Sequence, residues 1–209
     1  KKVGDVSRRG CKSPPTLHNM NLDYLPIATE GHMVSSQETL RFWEDLHDRC
    51  KYKHLFEIGT NAGHSAAINL ELFPDINVTS LDIGRHEYTH EAADILNKKF
   101  QDRFEYINCH SKAYYQRLTS GHYTMPDNVD AVFVDGGHGT ECVLNDISIA
   151  KYLEVKNVFV DDTDYGPVKN AVGYLQALGV LQKIGHYDYQ CMGNNNNPIN
   201  NQITHFHLL

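Results

Sequence analysis

The chain has 209 residues, a length that fits one domain with a short appendage. Hydrophobic residues make up 41% of it, enough for a core, yet no apolar run approaches the ~18 residues of a membrane span and the first thirty residues lack a signal peptide's apolar stretch. Nineteen basic against 26 acidic residues give −7, the wrong sign for a protein that binds phosphate backbones, so membrane and nucleic-acid partners are not expected.

In chain order, residues 1–15 come first and run against the overall charge, with Lys1, Lys2, Arg8, Arg9 and Lys12 facing only Asp5. Residues 1–30 read as an N-terminal linker or lid and residues 31–209 as the folded domain. The chain opens on Lys rather than Met, which predicts a domain of a longer polypeptide. Leu40, Trp43, Leu46 and Cys50 recur at helical spacing behind the capping Ser35 or Ser36. A strand follows over Lys53–Ile58, then the turn GTNAG (Gly59–Gly63) and a small-residue helix from His64 to about Leu72. Strands are expected at Asn77–Asp82 and Phe104–Asn108, separated by a helix over about Tyr88–Phe100. A helix near Lys112–Leu118 precedes the strand VDAVFVD (Val129–Asp135), and another spans about Glu141–Leu153. Asn157–Val160 is a buried strand leading to a helix over Pro167–Leu178, with Pro in the first turn. Val180–Tyr187 and Gln202–Leu208 then read as an antiparallel hairpin whose tip is the polar loop GNNNNPINN. Alternating apolar strands and amphipathic helices predict an α/β, doubly wound, Rossmann-like sheet of about seven strands, mostly parallel and closed by that hairpin.

Five cysteines (Cys11, Cys50, Cys109, Cys142, Cys191) are an odd count without a C-x-x-C pair. They indicate neither a disulfide scaffold nor a zinc cage, and they fit a reduced, cytoplasmic compartment. Asn77-Val78-Thr79 spells a glycosylation sequon, but inside a strand expected to be buried.

Ligands of open α/β sheets sit beyond the carboxyl ends of the strands, which turns the strand ends into site candidates. Glu57-Ile58-Gly59-Thr60-Asn61-Ala62-Gly63-His64-Ser65 closes the first of these strands. Its G-x-x-x-G spacing is not the G-x-G-x-x-G of dinucleotide binders, and by itself a glycine turn here can be purely structural. Asp82 ends the next strand, about twenty residues on, where a carboxylate can accept from both hydroxyls of a ribose. Strand, glycine turn, helix, strand and acid together point to a nucleoside site. Asp135 (VFVDGGH) and Asp161-Asp162 (VFVDDT) end two strands whose carboxyl ends should lie about 5 Å apart if adjacent. Three converging carboxylates call for a cation, and all-oxygen ligation suits Mg²⁺ or Mn²⁺; the competing reading is that they merely cap helices. His138, three residues after Asp135, is placed to take a hydroxyl proton near neutral pH, or is simply a loop histidine among thirteen. Asp146 is expected on the solvent face of its helix, and Asp164 with Tyr165 within reach of a substrate.

EIGTNAGHSA followed by LDIG resembles the cofactor motif and the ribose-binding acid of class I S-adenosylmethionine-dependent methyltransferases. The likeness is greatest to the metal-dependent O-methyltransferases of the catechol type and covers about residues 31–209. The resemblance implies that Glu57, Gly59, Thr60, Asn61, Gly63 and Ser65 hold the methionine end of S-adenosylmethionine and Asp82 with Ile83 the ribose side. It places His110 and Ser111 by the adenine, and Met33 and Val34 in a segment covering the cofactor; Asp135 borders it. An acid after one strand and Asp-Asp after the next is the family's metal pattern, with Asp-Asp and a histidine at position 138 found in enzymes that methylate sugar hydroxyls, such as macrolide-sugar methyltransferases. The implied activity is metal-dependent methyl transfer to one hydroxyl of a vicinal diol, with a sugar or glycan as first acceptor and a catechol as second. His138 would be the base and Asp135 both ligand and catalytic residue. The implied setting is a multidomain glycan-building polypeptide carrying glycosyltransferase domains, like those of large viruses. A nicotinamide-dependent oxidoreductase, a non-catalytic glycan- or metal-binding module and a metal-independent methyltransferase remain as alternatives at this point.

Overall fold

A computed structural model describes residues 20–124, 126–193 and 197–209. Among them one eight-stranded sheet runs through the molecule. Its strands are β1 (His32–Met33), β2 (His54–Ile58), β3 (Asn77–Asp82), β4 (Phe104–Asn108), β5 (Ala131–Val134), β6 (Asn157–Val160), β7 (Leu181–Met192) and β8 (Pro198–Leu208). The helices are α1 (Gln37–Cys50), α2 (His64–Leu72), α3 (Glu87–Phe100), α4 (Ser111–Thr119), α5 (Thr140–Tyr152) and α6 (Gly166–Ala177). Spatial order is β1-β7-β8-β6-β5-β2-β3-β4, with β4, β3, β2, β5 and β6 parallel and β8, β7 and β1 joining antiparallel.

The central strands β5 and β6 read as short apolar runs because both of their faces are covered. Leu55, Val78, Phe133 and Phe159 face a core built by Leu40, Trp43 and Leu46 of α1, Ala67 and Ile68 of α2 and Leu96 of α3. Their neighbours Phe56, Val132, Val134, Val158 and Val160 point the other way, toward Tyr114 and Leu118 of α4, Val143 and Ile147 of α5 and Val168 and Val172 of α6. Period-two alternation thus feeds two cores from one set of strands. Trp43 is fully buried, and its indole N–H donates to Met33 Sδ at 3.1 Å.

Three features differ from the sequence reading. The two-residue strand β1 was not foreseen, and Leu22 and Leu25 pack into the core ahead of it, so packed structure reaches back before residue 31. The hairpin strands are longer than expected, reaching Met192 and starting again at Pro198, so Pro198–Asn201 of the expected loop are strand. Asn194–Asn196 of that loop, like residues 1–19, lie outside the described residues. Finally, Asp146 is not on a solvent face but buried: α5 packs between α4 and α6, and the side chain sits under Gly136, where a Cβ would lie 3.3 Å from Asp146 Oδ2.

Candidate active site

From β2 the chain moves outward through β3 to β4, then returns to build β5 and β6 on the other side of β2. The switch point is therefore the gap between the carboxyl ends of β2 and β5, where open α/β sheets bind ligands. The Gly59–Gly63 turn and the loop starting at Asp135 meet there. They touch backbone to backbone: a Cβ on Gly59, which has φ +105°, would lie 2.0 Å from the Asp135 carbonyl oxygen. Only glycine permits both that conformation and that approach.

Below the turn, Glu57 is fully buried at the end of β2. Ser65 Oγ and Ser80 Oγ donate to its two carboxylate oxygens, and Ser80 Oγ also bonds Thr60 Oγ1 at 2.7 Å. Burial pushes the Glu57 carboxyl up to about 7, against the two serine hydrogen bonds. Ser80 was not singled out in the sequence; its signal is the parallel register that sets it beside Glu57. Asp82, at the end of β3, accepts from Thr60 N (2.9 Å) and Asn61 N (3.2 Å) through Oδ2 and from Gly84 N (2.7 Å) through Oδ1. The acid thus ties the glycine turn to its own loop, and Oδ1 keeps a lone pair for a further donor. Ile83 beside it is 48% exposed, an apolar surface at the rim that a flat ring can cover.

Asn61, at φ +49°, donates from Nδ2 to the Gly31 carbonyl at 2.6 Å, fastening the turn to the segment before β1. Val34 lines a cavity of about 590 Å³ with Leu22, Leu25, His32 and His64, next to that turn. The side chain of Met33, the other residue of that segment, is buried in the core under Trp43. His110 caps α4, its Nδ1 accepting from Lys112 N at 3.1 Å. Ser111, the first residue of α4, accepts from Asn145 Nδ2 at 3.3 Å, and Asn145 also donates to Asp146 Oδ1 at 3.2 Å. Asp146 Oδ2 has no hydrogen-bond partner among the described residues. Burial raises that carboxyl, and the neighbouring polar groups of Ser111 and Asn145 work against the rise.

On the other side of the switch point, one ligand atom each of Asp135, His138 and Asp162 lies within 4.8 Å of the others. Parallel pairing of β5 and β6 sets Val134 opposite Val160, so the following residues, Asp135 and Asp161, leave the sheet side by side, and Asp162 comes one residue further on. His138 Nε2 is 2.7 Å from Asp162 Oδ2, and that hydrogen bond first of all holds the imidazole above its ordinary value. Asp162 takes up φ +55°, an αL conformation that aspartate tolerates better than most residues. Asp161 is buried against Asp135, though its own oxygens are not among the three clustered ligand atoms. Its Oδ2 accepts from Tyr189 Oη (2.7 Å) and Asn201 Nδ2 (3.4 Å), while Oδ1 has no partner among the described residues. Burial and then the neighbouring acids raise both Asp135 and Asp161 well above the usual carboxylate range. Mutually repelling carboxylates, one with an orphaned buried oxygen, form a donor set that suits a hard divalent cation. Tyr165, 54% exposed, stands with its ring 6.2 Å from the His138 ring, and Asp164 is exposed beside it. Among hairpin tyrosines expected to line the cleft or to cover the sheet edge, Tyr189 lies beyond the expected strand; Asn201 falls in the expected loop and carries no signal of its own.

A family model described as a methyltransferase domain matches residues 56–162, the stretch from β2 to Asp162. No curated protein sequence gives a significant match. Among solved structures the chain resembles the precorrin-6y C5,15-methyltransferase of Geobacter metallireducens, with TM-score 0.62 and 13% identity over 92% of this chain and 98% of that one. It also resembles an O-methyltransferase of Bacillus cereus in complex with S-adenosylhomocysteine (TM-score 0.56, 14% identity, 83% and 82% covered). A third likeness is the O-methyltransferase TomG of Streptomyces achromogenes, involved in tomaymycin synthesis and solved with S-adenosylmethionine (TM-score 0.56, 15% identity, 83% and 80% covered). At such identities the shared property is the fold. No helix among the described residues is long and apolar enough to cross a membrane.

Proposed function

The chain belongs to the methyltransferase-domain family, and from that premise we propose that it is a divalent-metal-dependent O-methyltransferase, moving the methyl of S-adenosylmethionine to one hydroxyl of a vicinal diol, foremost on a sugar or glycan. The observation that carries this reading is the convergence of Asp135, His138 and Asp162 directly across the switch point from the Gly59–Gly63 turn. It joins a nucleoside-type site to a cation-type site in one crevice.

The residues present fit both ligands. Asp82 offers the remaining lone pair of Oδ1 to a ribose hydroxyl, Ile83 an apolar face to the adenine, and Ser111 a hydroxyl at the adenine end. Gly59 and Gly63 let the backbone approach the methionine portion, above Glu57 and Ser65. Asp135, Asp161 and Asp162 supply oxygen ligands for Mg²⁺ or Mn²⁺. When bound, S-adenosylmethionine supplies an electrophilic methyl and the metal supplies Lewis acidity that lowers the pKa of a hydroxyl on it. Asp162 positions the His138 imidazole through the 2.7 Å contact to Nε2. With Nε2 turned to Asp162, the other ring nitrogen, Nδ1, would be the one to take the proton from the acceptor hydroxyl. General-base assistance of this kind is worth about 10²–10⁴-fold in rate. Holding oxygen and methyl in line supplies up to ~7–11 kcal/mol in model systems.

The test is methyl transfer from labelled S-adenosylmethionine to a panel of sugars and catechols, with Mg²⁺, Mn²⁺ or EDTA, for the wild type and Asp162→Asn. Turnover that EDTA and the substitution both abolish supports the reading, and the active acceptor decides between sugar and catechol. Turnover indifferent to EDTA refutes the metal site.

A further inference from the structure

The hairpin rises above the reacting centre. β6 pairs with β8 only from Thr204 to His207, whereas β7 and β8 continue their ladder out to Met192 opposite Pro198. The part beyond Thr204 therefore stands over the carboxyl rim of the sheet. Its foot is fixed to the carboxylate cluster through Tyr189 Oη and Asn201 Nδ2, both bonded to Asp161 Oδ2.

A cavity of about 500 Å³ lies against this projecting part, within the range of small-molecule sites. Gln190 is paired across the ladder with Asn200, and Asp188 with Gln202, to which it is also hydrogen-bonded at 3.0 Å. Residues two apart on a strand share a face, so these four side chains form one polar strip. Glu38, from the first turn of α1, and Asp164, two residues past the cluster, complete the wall. Carboxamides donate and accept at once, as hydroxyl groups do, and so match a surface of many hydroxyls. Charge then narrows the ligand. Among the described residues the lining carries three carboxylates and no Lys, Arg or His. A phosphate or carboxylate entering here would meet like charge without a partner, whereas an ammonium group would find several.

Resting on the reading of the site as an O-methyltransferase, we infer that this hairpin face is the acceptor subsite and that it selects uncharged or amino-bearing polyhydroxylated acceptors over phosphorylated or carboxylated ones. Gln190 and Asn200 recognise hydroxyls, and Asp188 sets the charge preference.

The experiment uses the whole chain with Mg²⁺ and saturating S-adenosylhomocysteine. It measures binding of methyl glucoside, glucosamine, glucose 6-phosphate and glucuronate by saturation-transfer NMR. Methyl glucoside and glucosamine should bind, the two anions should not, and the Gln190→Ala/Asn200→Ala double variant should weaken acceptor binding by roughly tenfold, as two lost hydrogen bonds imply. Both Gln190 and Asn200 are exposed, so an unchanged affinity for S-adenosylhomocysteine certifies the fold of that variant. Asp188→Lys should weaken glucosamine and admit glucose 6-phosphate. Anions binding as well as the neutral sugar, no sugar binding at all, or a double variant that binds like wild type would each overturn the assignment while leaving the cofactor site intact. Failure of S-adenosylhomocysteine to bind would instead bring down the underlying reading, and this one with it.

Discussion

Glu57→Gln should stabilise the ligand-free protein at alkaline pH while weakening it as a binder of a cationic cofactor. The carboxyl is fully buried and raised from its ordinary 4.5 to about 7. A carboxyl raised on folding favours the protonated native state. Its contribution is complete below about 4.5 and disappears as pH climbs through about 7, because the native state must then hold a buried anion. A shift of that size corresponds to about 3 kcal/mol, of which roughly 2–3 kcal/mol falls between pH 5 and pH 8. Asp135 and Asp161 also titrate upward of their usual range, so the wild-type curve alone is not diagnostic. The difference between the two proteins is. Gln keeps the shape and a hydrogen bond to each serine after one hydroxyl reorients. Urea unfolding at both pH values should show the variant gaining on wild type by roughly 2–3 kcal/mol as pH rises. Calorimetry at pH 8 should show it losing affinity for S-adenosylmethionine, whose sulfonium and ammonium groups favour the anion. A difference independent of pH, or wild type gaining on the variant toward pH 8, would refute the argument.

Gly59→Ala should cost about 3 kcal/mol or more, since strain at φ +105° is joined by a Cβ 2.0 Å from the Asp135 carbonyl oxygen; a thermal melt matching wild type would contradict it. Asp146→Asn should leave stability at pH 8 unchanged or raise it by about 1 kcal/mol, because it replaces a buried carboxylate with an orphaned oxygen; a loss of several kcal/mol in urea would show the charge to be paired. His138→Asn should lower kcat by about 10²–10⁴-fold and leave KM for S-adenosylmethionine unchanged. Its rate profile should also lose the limb on which wild-type kcat rises as His138 deprotonates, and a retained limb would assign that titration to another group.

The strands most legible in the sequence were the short ones set between helices. Asn77–Asp82, Phe104–Asn108 and Asn157–Val160 have the expected bounds because turns and helix starts close in on them from both ends. Since ligands gather at strand ends, locating those strands also located Glu57, Asp82, Asp135 and Asp162 at the rim. Legibility fell where tertiary contacts decide. The hairpin strands run through Asp188–Met192 and Pro198–Asn201 because of ladder pairing across a polar, half-solvated ribbon, which composition reads as loop. Asp146 is buried by packing of α5 against two helices, although its local pattern resembles a solvent face. Met33 is drawn inward by the Trp43 indole ten residues away. The pairing of His138 with Asp162, and of Asp161 with Tyr189 and Asn201, joins segments far apart in the chain, and no spacing announces it.

The central claim is that the crevice between the Gly59–Gly63 turn and the Asp135 loop binds S-adenosylmethionine with its ribose on Asp82. Calorimetric titration of S-adenosylmethionine into the wild type and into Asp82→Ala tests it most directly. The wild type should show saturable one-site binding and the variant a loss of at least about tenfold, the worth of hydrogen bonds to a charged acceptor. No heat of binding in the wild type, or equal affinity in the variant, would contradict it.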